Sequence, residues 1–218
     1  YNGSASYLVD ALYSNDAWVT TIMSYFDQLE NSYFSGQGFT RQFSLSPMVA
    51  DGIAMIALYG VATTTRIGNT TYGFNNTSGR AIYDATQNPT VGYTIFDNGG
   101  SDTLDYSGFS QSQRINLNQE TYSNIGGRTG NVAIARGTDI ENAIGGSGND
   151  TILGGTGNDR IDGGVGDDGA SGDSRGTTNM KPIILGIDPG LHGALAFVEL
   201  VGGTPRVEVF DMPTTTKK

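Results

Sequence analysis

Cysteine is absent from the 218 residues, so the chain forms no disulfide and no thiolate metal site, a composition that fits a bacterial secreted protein. Histidine is nearly absent. His192 is the single one, whereas a catalytic zinc usually takes three protein ligands plus water. Cationic side chains are scarce: 12 Lys and Arg stand against 22 Asp and Glu, and the net charge of -10 argues against nucleic acid as a partner. No apolar run is long enough to span a bilayer. The chain has no signal peptide and opens on Tyr1 rather than Met, so we expect the beginning of a longer parent to precede it.

Glycine, by contrast, is abundant. It accounts for 33 residues, about twice the usual share, and this favours turn-rich β structure over helix bundles. The glycines concentrate between Gly145 and Asp168, in Gly-Gly-Ser-Gly-Asn-Asp-Thr-Ile-Leu, Gly-Gly-Thr-Gly-Asn-Asp-Arg-Ile-Asp and Gly-Gly-Val-Gly-Asp-Asp. The period is nine residues, with Gly at places 1, 2 and 4, Asp at place 6 and, in the first two units, Ile at place 8. Glycine permits turns closed to residues with a Cβ, and such turns aim carbonyl oxygens at a shared centre. The place-6 carboxylates Asp150, Asp159 and Asp168 add charge. Ca²⁺ seeks such oxygens, about 6–8 of them. A flexible linker would not hold Gly, Asp and Ile in phase through two full units.

The repeat resembles the calcium-binding nonapeptide of the RTX proteins. In that arrangement each Asp is followed by a short strand with Ile152 and Ile161 inward. Two units make one turn of a parallel β-roll, and unit one stacks on unit three. Asp150 and Asp168 then face one ion, while Asp159 lies on the opposite edge. The pattern frays after Asp168, where place 8 becomes Ala170 and Thr177 replaces the next Asp.

Upstream, Val19 to Phe26 reads as a buried patch. A helix is predicted after Ser46 as cap and Pro47 at its first position, with Val49, Ile53, Ile56 and Ala57 at helical spacing and Gly60 ending it. Short β runs between Gly/Asn/Asp turns follow, at Thr70–Phe74, Tyr93–Phe96, Thr103–Tyr106 and Arg114–Leu117.

These segments resemble, in order, the C-terminal part of the serralysin-type secreted metalloproteases. Ile22-Met23-Ser24-Tyr25 is similar to the Met-turn, and Pro47 to Gly60 to the helix closing the protease domain. Thr65 to Phe74 and Asp97 to Asp105 resemble the family's first two calcium loops, and Gln113–Leu117 and Ile140–Gly146 complete the set. The resemblance implies that Met23 lies beneath the catalytic zinc of the parent and that Tyr25 ligates zinc or steadies the transition state. It also implies one calcium site from the backbone oxygens of Arg66, Gly68 and Thr70 with Asp97 and Asp102. A second would use Gly99, Gly100, Asp102, Asp139 and Glu141, with Asp139 where the family often has Thr. In the roll, Gly146, Gly148 and Asp150 would face Gly163, Val165 and Asp168. Gly155, Gly157 and Asp159 would face the fourth unit, where Thr177 leaves the site weak or empty. The family's zinc motif, His-Glu-x-x-His-x-x-Gly-x-x-His, is missing, so the chain itself is expected to hydrolyse no peptide bonds.

Composition shifts at Met180. Lys181 to Gly190, Leu195–Val198 and Arg206–Phe210 read as three strands. Ile187-Asp188-Pro189-Gly190 followed by Gly193-Ala194-Leu195-Ala196 resembles the start of a RuvC-type Holliday-junction resolvase, which implies Asp188 as a metal ligand. One carboxylate makes no two-metal site, and this tail is expected to be disordered or loosely packed, leaning on the open end of the roll.

The expected fold is mainly β, a parallel roll preceded by a small, partly helical remnant of a metzincin protease domain. The expected domains are 1–62 for the remnant, 63–176 for the roll and 177–218 for the unrelated tail. The resemblance further implies several Ca²⁺ ions, Zn²⁺ in the parent only, peptide substrates of the parent, type I secretion machinery as a partner and an extracellular location. The competing reading is a non-enzymatic RTX module for calcium-dependent secretion or adhesion.

Overall fold

The computed structural model describes residues 5–171 in full and the strands at 183–187, 194–201 and 204–211 by their backbone. The chain is mainly strands, with few helices. Two one-turn helices, α1 (Tyr7–Asp10) and α2 (Ser32–Ser35), precede the longer α3 (Val49–Tyr59). Ten short strands follow: β1 (Thr71–Gly73), β2 (Tyr93–Ile95), β3 (Thr103–Asp105), β4 (Arg114–Asn116), β5 (Tyr122–Ser123), β6 (Val132–Ile134), β7 (Asn142–Ile144), β8 (Thr151–Leu153), β9 (Arg160–Asp162) and β10 (Gly169–Ser171). They stay short because Gly, Asn and Asp turns interrupt them every few residues.

The strands stack mostly in parallel. One ladder runs β1-β3-β7-β9 and aligns Tyr72, Leu104, Ala143 and Ile161. A second runs β4-β8-β10 and aligns Ile115, Ile152 and Ala170. A third pairs β2 with β6, and β5 adds to β6 antiparallel. The aligned middle residues meet in one apolar core that includes Tyr72, Leu104, Ile115, Ala143 and Ile152. That core thins toward the last repeat: Ile152 is fully buried, Ile161 half-buried and Ala170 exposed.

The helix after Ser46 forms as predicted, but its cap differs. Met48 is the N-cap residue, and the Asp51 carboxylate accepts from its backbone N–H at 2.8 Å. The Ser46 hydroxyl is engaged elsewhere, accepting from Thr94 N–H at 2.8 Å. Gly60 closes the helix at φ +81°, its N–H on Ile56 O at 2.9 Å. The patch at 19–26 is buried only in part. Val19, Thr20, Thr21 and Phe26 are buried, whereas Ile22, Met23 and Tyr25 are exposed. A turn closed by Ser24 N–H on Thr21 O at 3.4 Å throws these side chains outward.

Past residue 182, β11 (Ile183–Ile187), β12 (Ala194–Val201) and β13 (Thr204–Asp211) form an antiparallel meander, matching the three strands read there. Antiparallel neighbours of this kind pair locally and need no distant partner. β11 and β12 run beside α3. Asp188, Thr177 and His192 lie outside the described residues. Among the described residues, no helix is long and apolar enough to cross a membrane.

Candidate functional site

The loops at 65–70 and 97–102 lie one above the other at the start of the parallel stack. Thr65 N–H donates to Asn98 Oδ1 at 3.0 Å, Asn98 N–H returns to Thr65 O at 3.0 Å, and Ser101 N–H reaches Asn69 Oδ1 at 2.9 Å. The approach is so close that a Cβ on Gly100, which sits at φ +136°, would collide with the backbone of Gly68. This packing brings Asp97 and Asp102 together, both with no exposed surface.

The two carboxylates are held differently. Asp97 Oδ2 accepts from Tyr72 Oη at 2.5 Å and lies 3.8 Å from the Arg66 guanidinium, while Oδ1 takes Gly99 N–H at 3.0 Å. Arg66 adopts φ +47°, donates to Tyr72 Oη at 2.9 Å, and lies over the Tyr83 ring. Asp102 Oδ1 accepts from Thr70 N–H at 2.8 Å, but Oδ2 is buried with no hydrogen-bond partner. Burial drives the Asp102 carboxyl up to about 6; the charges of Asp97 and Glu141 add to this, while the Thr70 hydrogen bond and Arg66 oppose it. A buried carboxylate with one bare oxygen, beside two others, is poorly satisfied by the protein alone.

Three backbone carbonyls were expected to join them. Thr70 O already accepts from Thr103 N–H at 2.9 Å, and Gly68 O from Thr70 Oγ1 at 2.9 Å. A carbonyl keeps a second lone pair when one is used. Glu141 Oε2 accepts from Asp102 N–H at 2.8 Å, which puts Glu141 at the same edge. Asp139 is not gathered there: it is exposed, and its carboxylate takes Gln119 Nε2 at 2.8 Å.

In the nonapeptides, unit one lies on unit three. β8 pairs with β10 through Thr151↔Gly169, and Asp150 N–H donates to Asp168 Oδ1 at 2.7 Å. Asp150 is buried, its carboxylate held by Gln113 N–H at 2.7 Å and Gly146 N–H at 2.6 Å. Val165 N–H donates to Gly146 O at 2.9 Å, and a side chain on Gly166 would overlap Gly148 O. Gly146, Gly148, Asp150, Gly163, Val165 and Asp168 are thus gathered along one edge. Asp159 is half-buried beyond β7, with Gly155 buried and Gly157 exposed at φ +103°. Among the described residues, no three or more His, Asp or Glu side chains close into a metal cage. Sites drawing on backbone carbonyls as well as carboxylates need no such cage.

Tyr72, Gln113 and Thr138 were not singled out in the sequence, yet each orients a carboxylate-bearing loop. Thr138 Oγ1 accepts from Asp97 N–H at 2.9 Å and donates to Asp97 O at 3.0 Å. Tyr72 and Gln113 stand within runs read as family motifs, which was the available signal; nothing marked Thr138. Asp51, read in the sequence only as part of the helix motif Asp51-Gly52-Ile53-Ala54, has a role there: its Oδ1 accepts from Thr21 Oγ1 at 2.5 Å and its Oδ2 from Ile22 N–H at 3.0 Å. Met23 N–H lies on Thr21 Oγ1 at 3.1 Å. Met23 and Tyr25 are 42% and 61% exposed, so neither is held as a packed core residue.

The family model described as the peptidase M10 serralysin C terminal matches residues 61–178. A serralysin of Photorhabdus luminescens is 46% identical over 150 residues, covering 68% of this chain and 30% of that protein. The metallopeptidase AprA of Pseudomonas marginalis is 44% identical over 144 residues, 66% of this chain and 30% of that protein. Serralysin B of Dickeya chrysanthemi is 46% identical over 151 residues, 69% of this chain and 31% of that protein. The chain thus spans about 30% of the length of the curated relatives it matches.

Proposed function

Since the chain belongs to the peptidase M10 serralysin C-terminal family, we propose that it is part of the C-terminal region of a secreted serralysin-like zinc metalloendopeptidase and that its own activity is calcium binding coupled to the folding of a parallel β-roll. In this reading residues 1–62 close the protease domain, 63–176 form the roll and 177–218 are unrelated to either. The observation that carries it is the bare, buried Oδ2 of Asp102 beside Asp97 and Glu141. An oxygen-seeking divalent cation satisfies that atom and removes the carboxylate repulsion together.

The ion at the first edge would be held by Asp97 and Asp102 with carbonyls of Arg66, Gly68 and Thr70. A neighbouring ion would use Gly99, Gly100, Asp102 and Glu141, with Asp139 turning in from Gln119 to complete it. In the repeats, Gly146, Gly148 and Asp150 with Gly163, Val165 and Asp168 would hold another, and Gly155, Gly157 and Asp159 a weaker one. Without the ion the acidic loops repel, so the roll would stay unfolded where calcium is low and fold outside the cell. That order suits export through a type I secretion machinery before folding.

Zinc does not fit the side chains described. The Met23 turn is present, but no histidine stands among the described residues to ligate a metal beside it. Tyr25 alone cannot retain the ion. Cleavage of peptide substrates therefore belongs to the parent, and this chain should leave casein intact with zinc supplied; turnover would refute this. Far-UV circular dichroism in calcium and in chelator tests the main claim. We expect β signal and a cooperative melt with calcium only, and an unchanged spectrum and melting temperature in chelator would overturn it.

A further inference from the structure

One side chain of the roll belongs to two apolar clusters outside its own core. Tyr122, on β5, packs with Ala17, Val19 and Phe34 and also with Val49 and Ile53 of α3 and Ala133 of β6. Its ring stands edge-on to Phe39 at 5.5 Å, and its hydroxyl donates to Val19 O at 3.0 Å. Val19 leads directly into Thr20 and Thr21. Ala50 N–H of α3 donates to Thr20 O at 3.0 Å, and Thr21 is fixed by Asp51. The turn carrying Met23 is thus clamped from α3 by Asp51 and its approach is held from the roll by Tyr122.

The other end of this linkage reaches the repeats. Asp150 holds Gln113 N–H, and the adjacent Arg114 exchanges backbone hydrogen bonds with Asn124 at 3.0 and 2.8 Å. Arg114 Nη1 also donates to Tyr122 O at 3.1 Å. Hydrogen bonds at either end of the Gln113-Arg114 step therefore join Asp150 to β5, and the Tyr122 hydroxyl joins β5 to Val19. Lateral support is short and polar: Thr40 N–H meets Thr129 O at 3.2 Å, and Gln42 Nε2 meets Gly130 O at 3.2 Å.

We propose that Tyr122 and Asp51 are positioning residues that make the shape of the turn at 21–25 conditional on the calcium-loaded roll. The inference rests on the calcium reading above. Contiguity alone does not prove coupling, so the test must separate the turn from the roll.

Amide hydrogen exchange on the 218-residue chain does this. With calcium, Ile22 and Met23 amides should be protected together with Gly145 and Asp150; in chelator both pairs should lose protection. Tyr122→Phe should speed exchange at Ile22 and Met23 about threefold or more, the loss of one hydrogen bond, while Gly145 and Asp150 keep theirs. Thr21→Val should do the same, and Thr21→Ser, which restores the hydroxyl, should recover the wild-type rate; a merely structural contribution from side-chain volume would not show that rescue. Trp18, stacked on Phe43 at 5.5 Å, gives a second readout through its emission during calcium titration. If Gly145 and Asp150 respond to calcium while Ile22 and Met23 do not, or if Tyr122→Phe leaves them unchanged, the coupling is wrong and the calcium reading stands. If Gly145 and Asp150 are indifferent to calcium, both readings fall.

Discussion

At the scale of single residues, Asp102 is where the fold and its proposed ion conflict and then agree. Its carboxyl is raised from the ordinary value of 3.8 to about 6, chiefly by burial. Between those two values the unfolded chain has already released a proton that the folded chain retains, so the metal-free fold loses stability as pH rises through that window. At neutral pH the full penalty of the bare, buried carboxylate is present, and calcium removes it by neutralising that charge; below about 6 calcium must first displace the proton. Calcium affinity should therefore rise with pH and flatten above about 6. At pH 5 the midpoint of a calcium titration should lie about tenfold higher than at pH 7, and Asp102→Asn should bind more weakly with a flatter pH profile. An affinity independent of pH between 5 and 7 would show that Asp102 takes no part. The carboxylates themselves were legible in the sequence: Asp150 and Asp168 through the nine-residue period, Asp97 and Asp102 through the resemblance of their loop to the family's. Their supports were not. Whether Asp139 faces Asp102 or Gln119 depends on a neighbouring loop twenty residues away, and spacing carries no record of that.

At the scale of elements, the nine-residue period dictates both strand and turn. Gly145 shows why: a Cβ there would overlap Gly163 O and the Asp150 carboxylate, whereas one at Gly169 meets nothing. Gly145→Ala should cost about 3 kcal/mol or more, at the upper end of overpacking. Gly169→Ala should stay within about 0.5 kcal/mol. Urea denaturation in saturating calcium separates the two. Ile152→Ala, at the fully buried end of the thinning core, should cost about 2–5 kcal/mol and lower the urea midpoint accordingly. The predicted strands and α3 were legible because period and turn residues agree locally. The cap of α3 was misread because Ser46 is drawn to Thr94, a partner remote in sequence. The exposure of Ile22, Met23 and Tyr25 was misread for a related reason: hydrophobicity predicts burial, but the turn fixed by Thr21 and by the distant Asp51 presents these side chains outward.

At the scale of the whole molecule, the net charge of -10 offers a rival explanation for any response to calcium, namely screening of an acidic chain. The two accounts separate cleanly. Screening needs only ionic strength, and 1 M NaCl shortens the Debye length to about 3 Å. Ligation needs a cation that accepts 6–8 oxygens in a flexible cage, which Ca²⁺ does and Mg²⁺, with its tight octahedral demand, does not. The buried Oδ2 of Asp102 and the buried Asp150 are hidden from bulk counter-ions, so salt cannot reach the repulsion that matters. Millimolar calcium should therefore fold chelator-treated chain, while 1 M NaCl and millimolar Mg²⁺ should not. Each saturated site adds about 2.7 kcal/mol at a hundredfold excess over its Kd, so two or three sites suffice to move a domain of ordinary marginal stability from unfolded to folded. Circular dichroism of the three samples decides the matter: recovery of the β signal in NaCl alone would mean that charge density, and not bound calcium, governs this fold.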